Sequence, residues 1–297
     1  MTLTDVFAEW RRLRRDQPKV KAITLRAAVN ACCDEKAASG RRSIYVHNLR
    51  QQLARFAKGR EDAPLSSIGQ NAVREWLAQF KNLGTRATWM NRLSALFSWA
   101  RRADYVTANP CESIERVRIE TNPVECLTVE QCRNLLEWTR AERPRYLALL
   151  VLELLCGLRP DEAEKITWGD VDLAGGTVTI DASKTKVRTR RIVQLTDSAK
   201  AWLTEASRMK AELPVTDVSG RRHTRAMRER LGLKAWPVKL LRKTAASYLM
   251  AAWQDAGKVA DQLGHSPAVL LKNYRALVKR EEAERWLALR PSSPPRG

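Results

Sequence analysis

Six polar side chains, widely spaced in the second half of the chain, have the types needed for chemistry on a phosphodiester. In order they are Arg159, Lys184, Lys239, Arg242, His265 and Tyr274. A tyrosine oxygen can attack phosphorus once its proton is removed, and guanidinium groups bind phosphate oxygens through paired N–H donors. Lysine and histidine can supply and remove protons. Because these cations belong to the protein itself, we expect the chemistry to need neither a metal ion nor a nucleotide cofactor.

Each of the six residues stands in a short, distinctive sequence. These sequences are C-G-L-R-P-D-E-A around Arg159, S-K-T-K around Lys184, K-L-L-R-K-T around Lys239 and Arg242, L-G-H-S-P around His265 and N-Y-R around Tyr274. Arg242 precedes His265 by 23 positions, and His265 precedes Tyr274 by nine. The order and spacing together resemble the catalytic half of the tyrosine recombinases, the phage-integrase family, over about Leu127 to Leu289.

The resemblance implies a role for each residue. Tyr274 would attack DNA to form a 3′-phosphotyrosyl link and a free 5′-hydroxyl, while Arg159 and Arg242 would bind the phosphate in the transition state. Lys184 would protonate the leaving 5′-oxygen from a β-hairpin loop, and Lys186, two positions further on, is the alternative general acid. Because the link retains the energy of the phosphoester, rejoining would need no ATP.

Lys239 departs from the usual family pattern, which has H-x-x-R where this chain has Lys239 followed by two leucines and Arg242. A lysine side chain can still donate to a phosphate oxygen. It is a poor base near neutral pH, because a free lysine has a pKa of about 10.4. We therefore expect His265 to handle the proton of the nucleophile. Glu162 is expected to hold an arginine as a structural contact.

Positive charge is distributed over the whole chain. The 53 Lys and Arg residues outnumber the 33 Asp and Glu residues, which gives a formal net charge of +20 at pH 7. Residues 1–126 carry 22 basic and 13 acidic side chains, and residues 127–297 carry 31 and 20. Such a field favours a polyanion, and two basic halves suit a clamp around double-stranded DNA. We predict further DNA contacts from Arg86, Arg92, Arg188, Arg190, Arg191 and Lys243.

The six cysteines and three histidines do not form a metal-binding pattern. No C-x-x-C pair occurs, so we expect no zinc site. Cys156 lies in an apolar stretch and is predicted to be a small core residue. A disulfide framework is not expected in so long and basic a chain, which favours the reducing cytoplasm, with nucleoid association when DNA is bound. The longest apolar stretch, Leu147–Leu152, is too short to cross a bilayer, so no membrane association is expected.

The apolar spacing predicts a mainly α protein with a small β-sheet. In the first half it indicates helices near 22–38, 43–58, 67–80 and 85–103, with a capping box from Ser67 to Gln70. In the second half it indicates a capping box from Thr128 to Gln131, a buried helix from Arg145 to Cys156, and a β-hairpin formed by Thr177–Ile180 and Arg191–Leu195. The resemblance implies a SAM-like core-binding domain followed by an α+β tyrosine-recombinase catalytic domain.

We predict a helical DNA-binding domain over residues 1–120, a linker at 121–126, a catalytic domain over 127–290 and a disordered tail at 291–297. The resemblance implies a site-specific recombinase or integrase, which could serve a phage, another mobile element or chromosome resolution. We expect it to be a monomer in free solution and a homotetramer on DNA. The apolar spacing within Glu281–Leu289 predicts an amphipathic helix. The resemblance implies that this helix docks on a neighbouring protomer, and the alternative is that it folds back on its own domain.

Two alternatives use the same residues differently. A type IB topoisomerase would reseal the same DNA strand as a monomer. A non-catalytic DNA-binding relative would have kept the fold without the chemistry. The complete arginine, lysine, histidine and tyrosine set argues against the non-catalytic alternative.

Overall fold

The computed structural model describes residues 6, 20–117, 125–184, 190–215, 220–274 and 277–292. The chain divides into two compact units, Met1–Thr121 and Asn122–Gly297. Helices dominate both units, and the second also contains a three-stranded antiparallel sheet. This confirms the predicted fold class, mainly α with a small sheet. Lys186, Arg188 and most of the predicted linker and tail lie outside the described residues.

The first unit contains four α-helices within its described residues 20–117. They are α1 (Leu25–Ala38), α2 (Ser43–Ala57), α3 (Gln70–Ala78) and α4 (Leu83–Arg102). Their apolar faces meet in one core, in which Leu53, Phe56 and Phe97 are fully buried. The predicted capping box at Ser67 is wrong: α3 begins only at Gln70, and the Ser67 hydroxyl donates instead to the carbonyl of Pro64 at 2.7 Å.

The second unit has its own core and, in the described part of the chain, contains more α-helices than the first unit. They are α5 (Val129–Glu142), α6 (Leu147–Leu154), α7 (Pro160–Ala163), α8 (Asp197–Arg208), α9 (Gly220–Arg230), α10 (Leu240–Trp253), α11 (Ala256–Leu263), α12 (Pro267–Tyr274) and α13 (Arg280–Leu287). The capping box of Thr128 with Gln131 is confirmed, since both of its hydrogen bonds are present. The helix predicted from Arg145 is shorter than expected, because 144–146 form a 3₁₀ turn. Cys156 is buried, as predicted.

The sheet has the strand order β1 (Val171–Asp172), β2 (Thr177–Ile180) and β3 (Arg191–Gln194). Val178 lies opposite Val193 in the register of β2 and β3. Val178, Ile180 and Val193 are buried, so one face of the hairpin covers the core, as the alternating pattern predicts. The predicted hairpin is therefore confirmed, and β1 is an additional strand that the sequence analysis did not predict.

The C-terminal helix α13 packs on its own unit. Trp286 is fully buried and stacks on Tyr248 with the ring centroids 5.2 Å apart, and Leu289 is also fully buried. The expectation that this segment docks on a neighbouring protomer is therefore wrong, because its apolar side chains already fill a site within the same chain. Ser292, which the prediction placed in the tail, accepts a hydrogen bond from Arg140 through its carbonyl at 2.8 Å. In the described part of the chain, no helix has the length and apolarity to span a membrane.

Candidate active site

The glycine of L-G-H-S-P sets the geometry of the site. Gly264 terminates α11 in the left-handed conformation, with φ of +60°, and its N–H bonds back to carbonyls of the last helical turn. Glycine adopts this conformation without steric cost. A Cβ atom there would lie 3.0 Å from the guanidinium of Arg191. The turn directs the carbonyls of Leu263 and Gly264 toward arginine side chains and leads directly into His265.

Two arginines satisfy these helix-end carbonyls. Arg159 donates from Nη2 to the carbonyl of Gly264 at 2.5 Å. Arg242 donates from Nη2 to the carbonyl of Leu263 at 2.5 Å and from Nη1 to the carbonyl of Gly157 at 2.6 Å. The last carbonyls of a helix have no partner within it, and the helix dipole favours cations at that end. The α11 terminus therefore fixes both guanidinium groups beside the segment that carries His265.

The glycine of C-G-L-R is as constrained as Gly264. Gly157 has a φ of +70°, and a Cβ atom there would meet Leu263 Cδ2 at 2.4 Å. Arg159 then caps α7, with Pro160 in the first helical position, where a missing N–H costs nothing. The spacing of this motif thus brings the carbonyl of Gly157 and the side chain of Arg159 to the end of α11.

Glu162, in the third position of α7, is a fully buried carboxylate that binds two arginines. It accepts from Arg159 Nη1 at 2.7 Å and from Arg191 Nη2 at 2.7 Å. Burial raises the pKa of Glu162, but the hydrogen bond and charge of Arg191 and the hydrogen bonds from Arg159 outweigh it and lower the pKa to about 2. Glu162 therefore stays ionised and compensates charge in the arginine cluster of Arg159, Arg191 and Arg242.

Arg242 is only 3% exposed. Burial, and then the nearby charge of Arg159, lowers its pKa to about 9, so the guanidinium remains cationic at neutral pH. Two hydrogen bonds to carbonyls use only part of its five N–H donors. Arg159 likewise retains donors beyond its contacts to Glu162 and Gly264. The arginine cluster can therefore bind an anion without losing its anchors.

His265 and Tyr274 lie next to the arginine cluster. Burial lowers the pKa of His265 to about 4, and the charges of Arg242, Arg159 and Lys239 act in the same direction. The imidazole is therefore neutral at pH 7 and can accept a proton. Tyr274 ends α12 and is 9% exposed. Burial raises its pKa while the charge of Arg242 opposes that shift, so a base must remove its proton before it can act as a nucleophile.

Lys239 occupies the residue before α10, in the left-handed conformation with φ of 59°. Its side chain is exposed, and its charge contributes to the lowered pKa of His265. The structure thus brings together five of the six sequence-predicted residues, namely Arg159, Lys239, Arg242, His265 and Tyr274.

Lys184 has a different environment. It ends the 3₁₀ turn 182–184 that follows β2, and its ammonium forms an ion pair with Asp170. Glu162 holds an arginine as expected, but its second partner, Arg191, was predicted only to contact DNA. Asp170 and Gly264 were not among the predicted site residues. A signal for Asp170 was available, since T-W-G-D places an acidic residue three positions after a threonine, which is a capping pattern.

The residues predicted to contact DNA are distributed over both units. Arg86 and Arg92 lie on α4 of the first unit, and Arg86 donates to the carbonyl of Phe80 at 3.0 Å. In the second unit, Arg190 is exposed and Lys243 is half-buried on α10. Arg191, whose side chain is 11% exposed, forms an ion pair with Glu162 through its guanidinium. A DNA contact by any of these residues stays a prediction.

Comparison with known families identifies the class. The profile described as "Phage integrase family" matches residues 125–281, more than half of the chain. The chain therefore belongs to the phage integrase family, the tyrosine recombinases of site-specific recombination. A comparison with curated proteins gives no match.

Solved structures of similar fold come from a phage and a transposon. A lambda integrase dimer bound to a COC′ core site has a TM-score of 0.68 at 15% identity, over 83% of this chain and 97% of that one. A lambda integrase tetramer bound to a Holliday junction has a TM-score of 0.67 at 17% identity, over 82% and 78%. The Tn1549 transposon integrase with a circular intermediate DNA has a TM-score of 0.65 at 14% identity, over 86% and 97%. At these identities the similarity concerns the fold.

Proposed function

We propose that this member of the phage integrase family is a site-specific DNA recombinase that cleaves and rejoins DNA through a covalent bond to Tyr274. One observation carries the proposal. The guanidinium groups of Arg159 and Arg242 are fixed on the carbonyls that lead into His265, and the phenol of Tyr274 is buried beside Arg242. Phosphate-binding, proton-accepting and nucleophilic groups therefore share one site.

The catalytic sequence begins when Arg159 and Arg242 bind the non-bridging oxygens of the scissile phosphate. Neutral His265 accepts the phenolic proton as the oxygen of Tyr274 attacks phosphorus. Lys239 donates a further hydrogen bond to a phosphate oxygen. The bond from phosphorus to the 5′-oxygen breaks, and Lys184 transfers a proton to that oxygen. Preorganised cations stabilise the charge that develops, and the reverse sequence with a 5′-hydroxyl of another strand completes the exchange.

Double-stranded DNA is the partner that the charge and the comparisons support. Both halves of the chain are basic, and the similar lambda integrase structures are bound to DNA as a dimer and as a tetramer on a Holliday junction. We assign the same class of assembly to this chain, a monomer in solution and a tetramer on two duplexes. Because α13 packs on its own unit, surfaces other than Trp286 would join the protomers. A type IB topoisomerase is not favoured, since the matched family is that of the integrases.

A nicked suicide substrate tests the covalent step. Wild-type protein should form a denaturant-stable adduct with DNA, and Tyr274→Phe should form none while binding DNA equally well, because only the attacking oxygen is lost. Tyr45→Phe makes the same chemical change at an exposed tyrosine of the first unit and should leave the adduct unchanged. An adduct formed by Tyr274→Phe would refute the assignment.

A further inference from the structure

Asp170 is a carboxylate with a fixed position in the second unit. It ends the 3₁₀ turn Trp168–Asp170, and its Oδ2 accepts both the backbone N–H and the hydroxyl of Thr167 at 2.7 Å. Ile166, which precedes Thr167, is fully buried in the core, and Trp168 donates to the carbonyl of Ala211 at 2.9 Å. These contacts fix the 3₁₀ turn, and the carboxylate of Asp170 therefore has little freedom to move.

The third bond to the same oxygen comes from the Lys184 ammonium. The side chains of Asp170 and Lys184 are only 12% and 20% exposed, so water competes weakly for this pair. Burial raises the pKa of Asp170, but hydrogen bonds from Lys184 and Thr167 outweigh it and lower the pKa. Asp170 is thus ionised at neutral pH, and the pair is a true ion pair.

A lysine that acts as a general acid on one particular oxygen needs a fixed partner, such as this carboxylate, to hold its ammonium in place. Its four-carbon stem loses much conformational entropy when the ammonium is fixed at one place. An ammonium has three N–H donors, and among the described residues only Asp170 uses one of them, which leaves two for a ligand. Asp170 is also eight residues after Glu162, joined to it through the buried Ile166. The carboxylate therefore ties the hairpin lysine to the segment that carries Arg159.

We propose that Asp170 is the positioning residue for Lys184: its fixed carboxylate holds the ammonium beside the 3₁₀ turn that follows β2 and leaves the remaining N–H donors available to the leaving 5′-oxygen. This inference rests on the proposed function. Asp170 touches no DNA in this scheme and acts only through Lys184, so its effect should appear only when the leaving group needs a proton.

Single-turnover cleavage of two DNA substrates tests the inference. One carries the ordinary bridging 5′-oxygen, and the other carries sulfur there, which leaves as a thiolate without a proton. Asp170→Asn should slow cleavage of the oxygen-bridged DNA by on the order of 10- to 100-fold, the range that misplacement of a catalytic group produces. Cleavage of the sulfur-bridged DNA should change little. The asparagine oxygen can still accept from Thr167, so the turn is retained.

Three further variants complete the design. Asp172→Asn makes the same charge change two residues away, at a carboxylate that accepts only from the N–H of Gly175 among the described contacts, and should cleave both substrates normally. Asp170→Glu keeps the carboxylate and should recover part of the loss. In a Lys184→Ala background, Asp170→Asn should cause no additional loss, because the two residues act as one unit.

Other outcomes would overturn the inference. An equal loss on both substrates would mean that Asp170 only supports the fold, and a faster reaction of Asp170→Asn would mean that the ion pair restrains Lys184 instead of presenting it. An additive loss in the Lys184→Ala background would separate the two residues. If wild-type protein cleaves neither substrate, the proposed function fails, and this inference fails with it.

Discussion

The arginine cluster and the hairpin lysine contrast in how the fold holds their charges. Arg242 donates to two backbone carbonyls, Arg191 donates to both oxygens of buried Glu162, and Arg159 donates to one carbonyl and to Glu162. Lys184, in the 3₁₀ turn that follows β2, is held through its ammonium by one ion pair among the described residues, with Asp170. The phosphate-binding groups are therefore part of the core, whereas the proposed acid lies in a short turn after the central strand of a small sheet.

This difference follows from the chemistry assigned to each group. Guanidinium groups stay charged throughout the reaction and lose nothing by being rigid, and fixed donors need no reorganisation as charge develops. A proton donor must reach a leaving atom and be recharged, which favours a side chain on a flexible stem. The two regions should therefore respond differently to mutation.

The largest effect is expected from removing the acid. Lys184→Ala should reduce cleavage of oxygen-bridged DNA by about 10²–10⁴-fold, the usual contribution of general acid catalysis, and sulfur-bridged DNA should restore the rate. Lys186→Ala is the matched control, because it removes an equal charge two residues on. If the sulfur substrate rescues Lys186→Ala and not Lys184→Ala, the acid is Lys186.

A smaller loss of cleavage rate, which a sulfur leaving group does not restore, is expected when Arg242 is replaced. Arg242→Ala should lower cleavage by about 10²–10³-fold, the cost of one preorganised donor group, and sulfur should not rescue it. It should also lower the free energy of unfolding by about 1–3 kcal/mol, because the buried carbonyls of Gly157 and Leu263 lose their donor. Urea unfolding and single-turnover kinetics measure the two losses. If the sulfur-bridged DNA restored cleavage by Arg242→Ala, the proposed distinction between the arginine cluster and the hairpin lysine would be wrong.

Sequence patterns could predict the site's residue types and much of its framework. The six residues stood out because each is charged or nucleophilic within a distinctive motif, and five of them converge in the structure. Thr128 with Gln131 and the β2–β3 hairpin were predictable, since short-range spacing encodes capping and alternation.

Long-range partners were beyond the sequence patterns. Leu263 and Gly264 contribute backbone carbonyls, which every residue possesses, so no residue type marks them as arginine ligands. Strand β1 has only two residues and shows no periodicity. The segment containing Trp286 was correctly predicted to be an amphipathic helix, but apolar burial favours docking on the same chain and on a neighbour equally. Only the packed structure distinguishes the two.

Glycine substitutions can sharpen the comparison without touching a charge. Gly264→Ala should destabilise the protein by about 1–2 kcal/mol, the cost of a left-handed alanine, and should also displace Arg191. Gly232→Ala is the matched control, because Gly232 has a φ of +64° with open space around it. Urea unfolding should show a similar loss of stability in the two variants, whereas only Gly264→Ala should slow cleavage. Equal cleavage rates would mean that the arginine cluster tolerates movement of the α11 terminus.

The smallest effect concerns the dependence of stability on pH. The pKa of His265 is lowered from 6.5 to about 4, chiefly by burial and then by the charge of Arg242. Folding therefore favours the neutral imidazole, and the contribution of His265 to the free energy of unfolding is fully present above pH 6.5. It should decline as the pH falls from 6.5 toward 4, because the unfolded chain binds the proton first. His223, whose pKa burial also lowers to about 4, should act in the same direction.

Substitution separates the histidine contributions. Urea unfolding between pH 7 and pH 4.5 should show a shallower loss of stability for His265→Gln than for the wild type. NMR titration of the imidazole protons gives the pKa of each histidine directly. In Arg242→Ala the pKa of His265 should rise, because one of the cations that lower it is gone. A wild-type His265 that titrates near 6.5 would contradict the prediction, because neither burial nor the charges of the arginine cluster would then lower its pKa.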